Sequence, residues 1–558
     1  ALLLAPYLRR FGQFTLPDFI AARYGGVLPR LLAVFATVLV SFVYVVVQIY
    51  GVGLVTSHLT GFSFEVGIFV GLGGVLVCSF LGGMRAVTWT QVAQYIVLII
   101  AYLVPVVWLA ASHGGSLLPQ WGYRVQLEQV EAAERRLAAD PAEREVIELL
   151  KARADEAQRK LADVPAAMVA ERERRVAELQ ALQAADAPLA RIQQLERRLA
   201  NLPRSESEAR AAYTLERADA LARAQPLGGI APQAQPYPDG EAGRRNFLAL
   251  VLCLMLGTAA MPHVLTRYYT TRSVADARRS VAWSLLFISL LYISAPALAV
   301  LVKHEVLSSL VGTPFGELPD WIRRWAKIDP ALVSALDVNG DGLLQLAELH
   351  LGADVVVLAA PEIGGLPYVA TCLVAAGGLA AALSTADGLL LTVANALSHD
   401  VYYRMLHPRA SATRRVMLSK MLVLLTALLA AWVASQHIAD ILTFVAAAFS
   451  LAASAYFPAL VLGVFWRRAS RLGATLGMLT GLATCVWYMA TNVPVLRALF
   501  RVTRPLAETR WWEIDPVAAG VFGVPVGAAV LVVASALSRP DPHAAAFVER
   551  LHAPANVA

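Results

Sequence analysis

No glycine-rich phosphate loop of the GxxxxGK[ST] type occurs in these 558 residues, so nothing in the chain is set up to bind and split a nucleoside triphosphate. Cysteine is scarce. There are four, Cys78, Cys253 and Cys372 among them within long apolar stretches, and no CxxC pair; structural thiols fit this better than zinc ribbons or dithiol redox chemistry. Charge is sparse too, at 16% of residues against about 25% in soluble domains. The surplus of +6 sits in short basic clusters without interleaved aromatic residues, so no nucleic-acid partner is expected. What fills the chain is apolar: 58% of residues are hydrophobic and the mean hydropathy is +0.57.

Stretches able to cross a bilayer, about 20 residues each, recur at 31–57, 65–83, 87–110, 246–263, 280–302, 366–396, 416–434, 440–466, 474–493 and 516–536. The chain reads as an all-α polytopic membrane protein, with the longer stretches tilting, breaking or protruding. With ten spans, one side receives Arg9, Arg10, Arg23 and Arg30, then Arg85, then Arg267, Arg272, Arg278 and Arg279, then Arg404, Arg409, Arg414 and Arg415, then Arg467, Arg468 and Arg471. The positive-inside rule makes that side cytoplasmic. Arg497, Arg501, Arg504 and Arg510 fall on the other side and are outvoted. The opening ALLLAPYL, without Met, reads as the tail of another span, so amino-terminal helices are expected before it. The expected division is 1–110, 246–302 and 366–536 as membrane core, 111–245 and 303–365 as external insertions, and 537–558 as a cytoplasmic tail.

Between 124 and 225 the pattern changes to alternating charges among Ala and Leu, which predicts solvent-exposed helices, a long hairpin or short coiled coil. Pro141, Pro165, Pro188 and Pro203 argue against one rod. PLGGIAPQAQPYPDGEAG after it should be irregular. This insertion could bind a small membrane or envelope partner, or be a passive decoration. The second insertion contains DVNGDGLLQLAE, residues 337–348. Asp337, Asn339, Asp341 and Glu348 take the first, third, fifth and twelfth places of an EF-hand calcium loop. Gly342 takes the sixth, Leu343 offers its carbonyl at the seventh and Gln345 could act through water at the ninth. The alternative is an empty Asp/Gly turn, since flanking helices and a paired hand are not evident.

The most polar membrane segment is AAGGLAAALSTADGLLLTVANALSHD, residues 375–400. Residues 381, 384, 385 and 388 share one side of a helix, so Ala381, Ser384 and Thr385 set two hydroxyls and a carbonyl beside small side chains. That is half of a dehydrated site for a small hard cation. The alternative is hydroxyls satisfied on preceding carbonyls, with small residues packing. Asp387, an acid at membrane depth, points partly away from that face and suits a polar network or gate. Asp400 and Arg404 could form a gate or a salt bridge at the inner boundary. Pro262 can interrupt its helix beside Gly257, Thr258 and His263, and Tyr44 and Gln48 lie one turn apart on another. These are the candidate contacts for a small substrate, although Tyr44 and Gln48 could simply bond between helices and His263 could lie at the boundary.

FGQFTLPDFIAARYG at 11–25, LGGMRAVTWTQVAQ at 81–94, LMLGTAAMPHVLTRYYT at 254–270 and ALSTADGLLLTVANALSHDVY at 382–402 together resemble the sodium:solute symporter family, nearest to its bacterial acetate and short-monocarboxylate permeases. That resemblance implies inverted five-helix repeats in a bacterial inner membrane and a secondary transporter, not an enzyme. It implies Na+ as coupling ion on Ser384, Thr385 and the Ala381 carbonyl, with the opposing ligands on a helix expected before residue 1. It implies a small organic anion such as acetate as substrate. An amino-acid or sugar symporter and a transporter-derived sensor are the alternatives. Related transporters often carry an acid where this chain has Gln91, so coupling through that position is not expected.

Overall fold

The computed structural model describes residues 4–12, 14–114, 118–185, 188–224, 240–436, 441–502, 504–539 and 542–552. Hydrocarbon offers backbone groups no partner, so apolar runs bond to themselves as helices. The chain enters through the short helices α1 (Ala5–Phe11) and α2 (Leu16–Tyr24), the latter capped by Thr15, and continues into the 34-residue α3 (Val27–Thr60). Helix α4 (Phe64–Gly114) follows, and the insertion supplies α5 (Pro119–Ala139), α6 (Pro141–Ala162), α7 (Val164–Ala184), α8 (Leu189–Ala200) and α9 (Glu206–Arg223). Helices α10 (Glu241–Ala260), α11 (Pro262–Tyr269) and α12 (Val274–Glu305) return to the membrane. After α13 (Asp320–Ile328), the small antiparallel pair β1 (Val333–Ala335) and β2 (Leu349–Leu351), and α14 (Ala353–Ile363), the core resumes. It comprises α15 (Tyr368–Asn395), a π-helical continuation (Ala396–Leu406), α16 (Ala412–Ala434), α17 (Ile441–Phe465) and α18 (Arg471–Asn492). Short α19 (Pro494–Leu499) and α20 (Leu506–Thr509) lead to α21 (Gly520–Leu537) and α22 (Pro542–His552). Among the described residues nine helices are long and apolar enough to cross a bilayer, and a shorter apolar helix covers Phe64–Val77.

The expected spans 65–83 and 87–110 fall in one helical run, α4. That run is not a straight rod. Ile68 packs on Gly53 of α3, Val55 packs on Gly378 of α15, and neighbouring Gly377 packs on Ala101. Residues 68 and 101 thus lie at the same level, whereas 33 residues of straight helix would separate them by roughly 50 Å. The chain folds back between the two halves, which restores two passes.

Helix α3 joins two packed cores. Its first half (Ala33, Ala36, Val40) belongs to a core with α2, α10, α17, α18 and α21, while Val45, Ile49 and Leu54 belong to a second with α4, α12, α15 and α16. Small residues set the approach in the first: a side chain on Gly477 of α18 would sit 2.7 Å from the Gly527 carbonyl of α21. Two of the four arginines that oppose the charge rule have local partners. Arg497 donates to the carbonyls of Thr491 and Arg504, and Arg510 pairs with Asp515 at 3.8 Å.

The insertion is a bundle of five short helices rather than a long hairpin or coiled coil. Proline at Pro141, Pro165 and Pro188 starts new helices, with Asp140 and Asp163 as caps. Apolar faces then close on each other: Leu161 and Val164 pack with Ala209 and Tyr213. The two insertions form one unit. Val146 and Leu150 of α6 pack on Val338 and Ala347, Arg223 donates to Ser334 at 3.0 Å, and Lys303 of α12 is buried against Glu134. Most of the expected irregular linker, 225–239, lies outside the described residues.

Candidate functional site

Helices α4, α10, α11, α12 and α15 surround a cavity of about 1040 Å³. Ser384, Thr385 and Gly388 of α15 line it, with Thr88, Gln91 and Tyr95 of α4, Thr258 of α10, His263 and Arg267 of α11, and Ser280 and Ser284 of α12. Close packing of α15 fixes this wall: Gly377 meets Ala101, and a side chain on Gly51 would come within 3.9 Å of the Ala382 methyl. Ser384 Oγ donates to the Ala381 carbonyl at 2.8 Å and Thr385 Oγ1 to the same oxygen at 3.3 Å. Three neutral oxygens therefore converge on one helical turn. Gln91 Nε2 donates to the Ser384 carbonyl, filling the place of an acid with an amide.

The break predicted at Pro262 is present. Met261 is extended (φ −66°, ψ 121°), and Pro262 starts α11. This turns His263 and Arg267 into the cavity, and His263 Nδ1 is buried without a hydrogen-bond partner. Arg267 was assigned to a cytoplasmic loop on charge alone; its Nη2 instead lies where a side chain on Gly388 would come within 3.1 Å, and Nη1 contacts Thr88 Oγ1 at 3.4 Å. Fully buried Asp387, one residue before Gly388, lies within electrostatic reach of it. The cue in the sequence was its place one turn after His263, past the proline.

Other candidates separate from the cavity. Gly257 faces α17, where a side chain would sit 2.5 Å from the Phe449 carbonyl; it is a packing position, not a cavity contact. Tyr44 does not line the cavity but its ring lies 5.7 Å from that of His263, and half-buried Gln48 lies one turn from Gly51. Asp400 and Arg404 do not pair as expected. Thr15 Oγ1 donates to Asp400, at 2.9 and 2.8 Å to its two oxygens, and Arg404 approaches Asp18 of α2 at 3.8 Å. Asp18 is also 3.0 Å from His399 and 3.3 Å from Arg30. Burial alone would push the Asp18 carboxyl up, but the hydrogen bond and charge of His399 with Arg30 and Arg404 hold it below its usual range. The π-helix that carries His399, Asp400 and Arg404 rotates Asp400 toward α2, which 3.6-residue spacing does not foresee.

The loop at 337–348 closes on itself. Asp337 accepts from the amides of Gly340 (2.7 Å) and Gly342 (3.2 Å), Asp341 N donates to Asn339 at 3.2 Å, and both glycines have positive φ, 79° and 77°. Leu343 N donates to Asp341 at 2.8 Å. Glu348 is fully buried and accepts from Val338 N and Gln345 N. Gln345 Nε2 donates to Asp341 at 2.6 Å, and its side chain accepts from the Glu348 amide in a capping box. Glu143 of α6 caps the turn from outside, accepting from Leu346 N (2.9 Å) and Ala347 N (2.8 Å). Its burial pushes its carboxyl up to about 7 against those donors.

Membrane-crossing helices around a cavity whose wall carries hydroxyl, amide, imidazole and guanidinium groups beside a broken helix fit a secondary transporter rather than an enzyme. The family model described as "sodium:solute symporter family" matches residues 1–132 and 355–481, leaving much of the two insertions outside it. A Cupriavidus necator protein described as an uncharacterized symporter is 51% identical over 562 residues, covering 99% of this chain and 81% of that one. The monocarboxylic acid transporter of Corynebacterium glutamicum is 27% identical over 302 residues, 53% of this chain and 47% of that one. A solved Na+-coupled sialic acid symporter shares the fold at a TM-score of 0.55 and 13% identity, covering 96% of this chain and 80% of that one. The chain belongs to the sodium:solute symporter family, a multi-pass membrane protein of sodium-coupled transport.

Proposed function

We propose that this chain imports a small organic anion, acetate or another short monocarboxylate, with Na+ as co-transported cargo. The observation that carries the reading is the cavity itself. Its walls carry the neutral oxygens of Ser384 and Thr385, suited to a cation, together with Arg267, which lies against Gly388 of the same helix, and the unpartnered His263 Nδ1, suited to a carboxylate. The monocarboxylate specificity of the Corynebacterium relative supports the same substrate class. Purified protein in sealed vesicles should take up acetate or pyruvate, but not proline or glucose, and only with an inward sodium gradient. Uptake of proline or glucose alone would overturn the substrate.

The loop at 337–348 is read as a structural Ca2+ site. Its support is the ligand spacing and the positive φ of Gly342 at the turn. Its carboxylates already hold the turn through backbone amides, so the ion would brace a formed loop. By arginine distribution the insertions project outside the cell, where the exposed faces of the 124–225 helices could receive a small membrane or envelope partner.

A further inference from the structure

On the insertion side, the carboxy-terminal ends of α4 and α12 bring together three metal-ligating side chains that neither the cavity nor the 337–348 loop uses. One ligand atom each from His113, His304 and Glu305 lies within 4.8 Å of the other two. The outer nitrogen of each imidazole is already committed. His113 Nδ1 is 3.1 Å from the Leu109 carbonyl, one turn back in α4. Ser112 Oγ stands at the same 3.1 Å from Nδ1; with the carbonyl as its partner, Nδ1 carries the hydrogen and the lone pair is on Nε2. His304 Nε2 donates to Gln129 Oε1 of α5 at 2.7 Å. That leaves the lone pair on Nδ1, which is buried and has no hydrogen-bond partner.

His113 Nε2 faces Glu305 Oε2 at 2.8 Å. In that tautomer a lone pair faces a carboxylate, and the separation calls for something positive between them, a second proton on the ring or a metal ion. Two imidazoles fixed by outer oxygen acceptors, plus one carboxylate, make a zinc ligand set whose orienting partners are in place. We propose that His113 Nε2, His304 Nδ1 and Glu305 bind a zinc ion. Water completes the tetrahedron from the adjoining space of about 170 Å³, which Gln129, His304 and Ser308 line. Ligands about 2.0 Å from a tetrahedral ion stand roughly 3.3 Å apart, so the His113–Glu305 pair opens by about half an ångström. The ion ties α4 to α12 where both leave the membrane, and both helices line the large cavity below.

The test uses the purified full chain, stripped with chelator and titrated with Zn2+, and with Co2+ as a visible probe of tetrahedral geometry. One zinc per chain is expected, and His113→Ala and His304→Ala should each weaken binding at least about tenfold. Gln129→Ala, which removes only an orienting partner, should cost about tenfold. Zinc should raise the melting temperature of the native chain and leave that of His304→Ala unchanged. His304→Gln, closer in size, serves if the alanine variant does not fold. A chain that takes up no zinc, or as much after His304→Gln as before, overturns the site and makes a proton the occupant.

Discussion

Residues 381–385 and 337–348 both gather oxygens around a point, with opposite electrostatics. On α15 they are one carbonyl and two hydroxyls, all neutral, on a single helical turn. In the loop they are carboxylates, with Glu348 buried and Asp337 and Asp341 closing the turn. A cation held only by neutral dipoles is bound weakly enough to be released, while formal negative charge suits a resident divalent ion. Under the assignments proposed above, the same atom type would serve a released cation on α15 and a resident one in the loop.

The largest effect should come from the charge in the cavity. Arg267→Gln takes a cation from the cavity wall and from electrostatic reach of fully buried Asp387; uptake should be abolished. Adding Asp387→Asn should restore the amount of folded protein in the membrane but not uptake, and recovered uptake in the double variant would remove Arg267 from substrate binding. Next come the neutral oxygens. Ser384→Ala and Thr385→Ala each delete one of few ligands, about 1–2 kcal/mol, so half-activation by sodium should rise about tenfold while Thr385→Ser keeps part of the function. Uptake measured against sodium concentration decides it, and unchanged sodium dependence in both alanine variants would reduce the pair to packing.

Two smaller effects belong to the loop. Calcium should raise the melting temperature of the native chain by a few degrees, roughly the size of a 1–2 kcal/mol linkage, and should not change that of Asp337→Ala with Glu348→Ala. The smallest is a pH dependence. Glu143 sits near 7 in the folded protein against its ordinary 4.5, so between these values the folded state holds more protons. Its contribution is therefore complete below about pH 4.5 and falls as pH rises through 7. Protease nicking of the insertion should increase from pH 5 to 8, and Glu143→Gln should flatten that rise.

Periodicity and length made the membrane helices legible, because hydrocarbon enforces one solution for a long apolar run. The hydroxyl pair was legible for the same reason: residues 381, 384 and 385 share a face in any helix. Three things were not. The bundle of the insertion depends on which apolar faces meet, which alternating charge does not encode. Arg267 was read from charge statistics, which place an arginine near an end of a span but not inside a cavity. The partners of Asp400 and Arg404 depend on a π-helix whose wider turn changes their facing. Gly257 packs on the Phe449 backbone, and a glycine that admits a substrate looks the same in sequence as one that admits a neighbouring backbone.

Helix α3 deserves a mechanical reading. Because its first half is built into one core and its second half into the other, neither core can slide lengthwise against the other without shearing a close-packed interface. The change-over falls between Val40 and Val45, near mid-length, so this one helix is the splint through which a load on either core reaches the other.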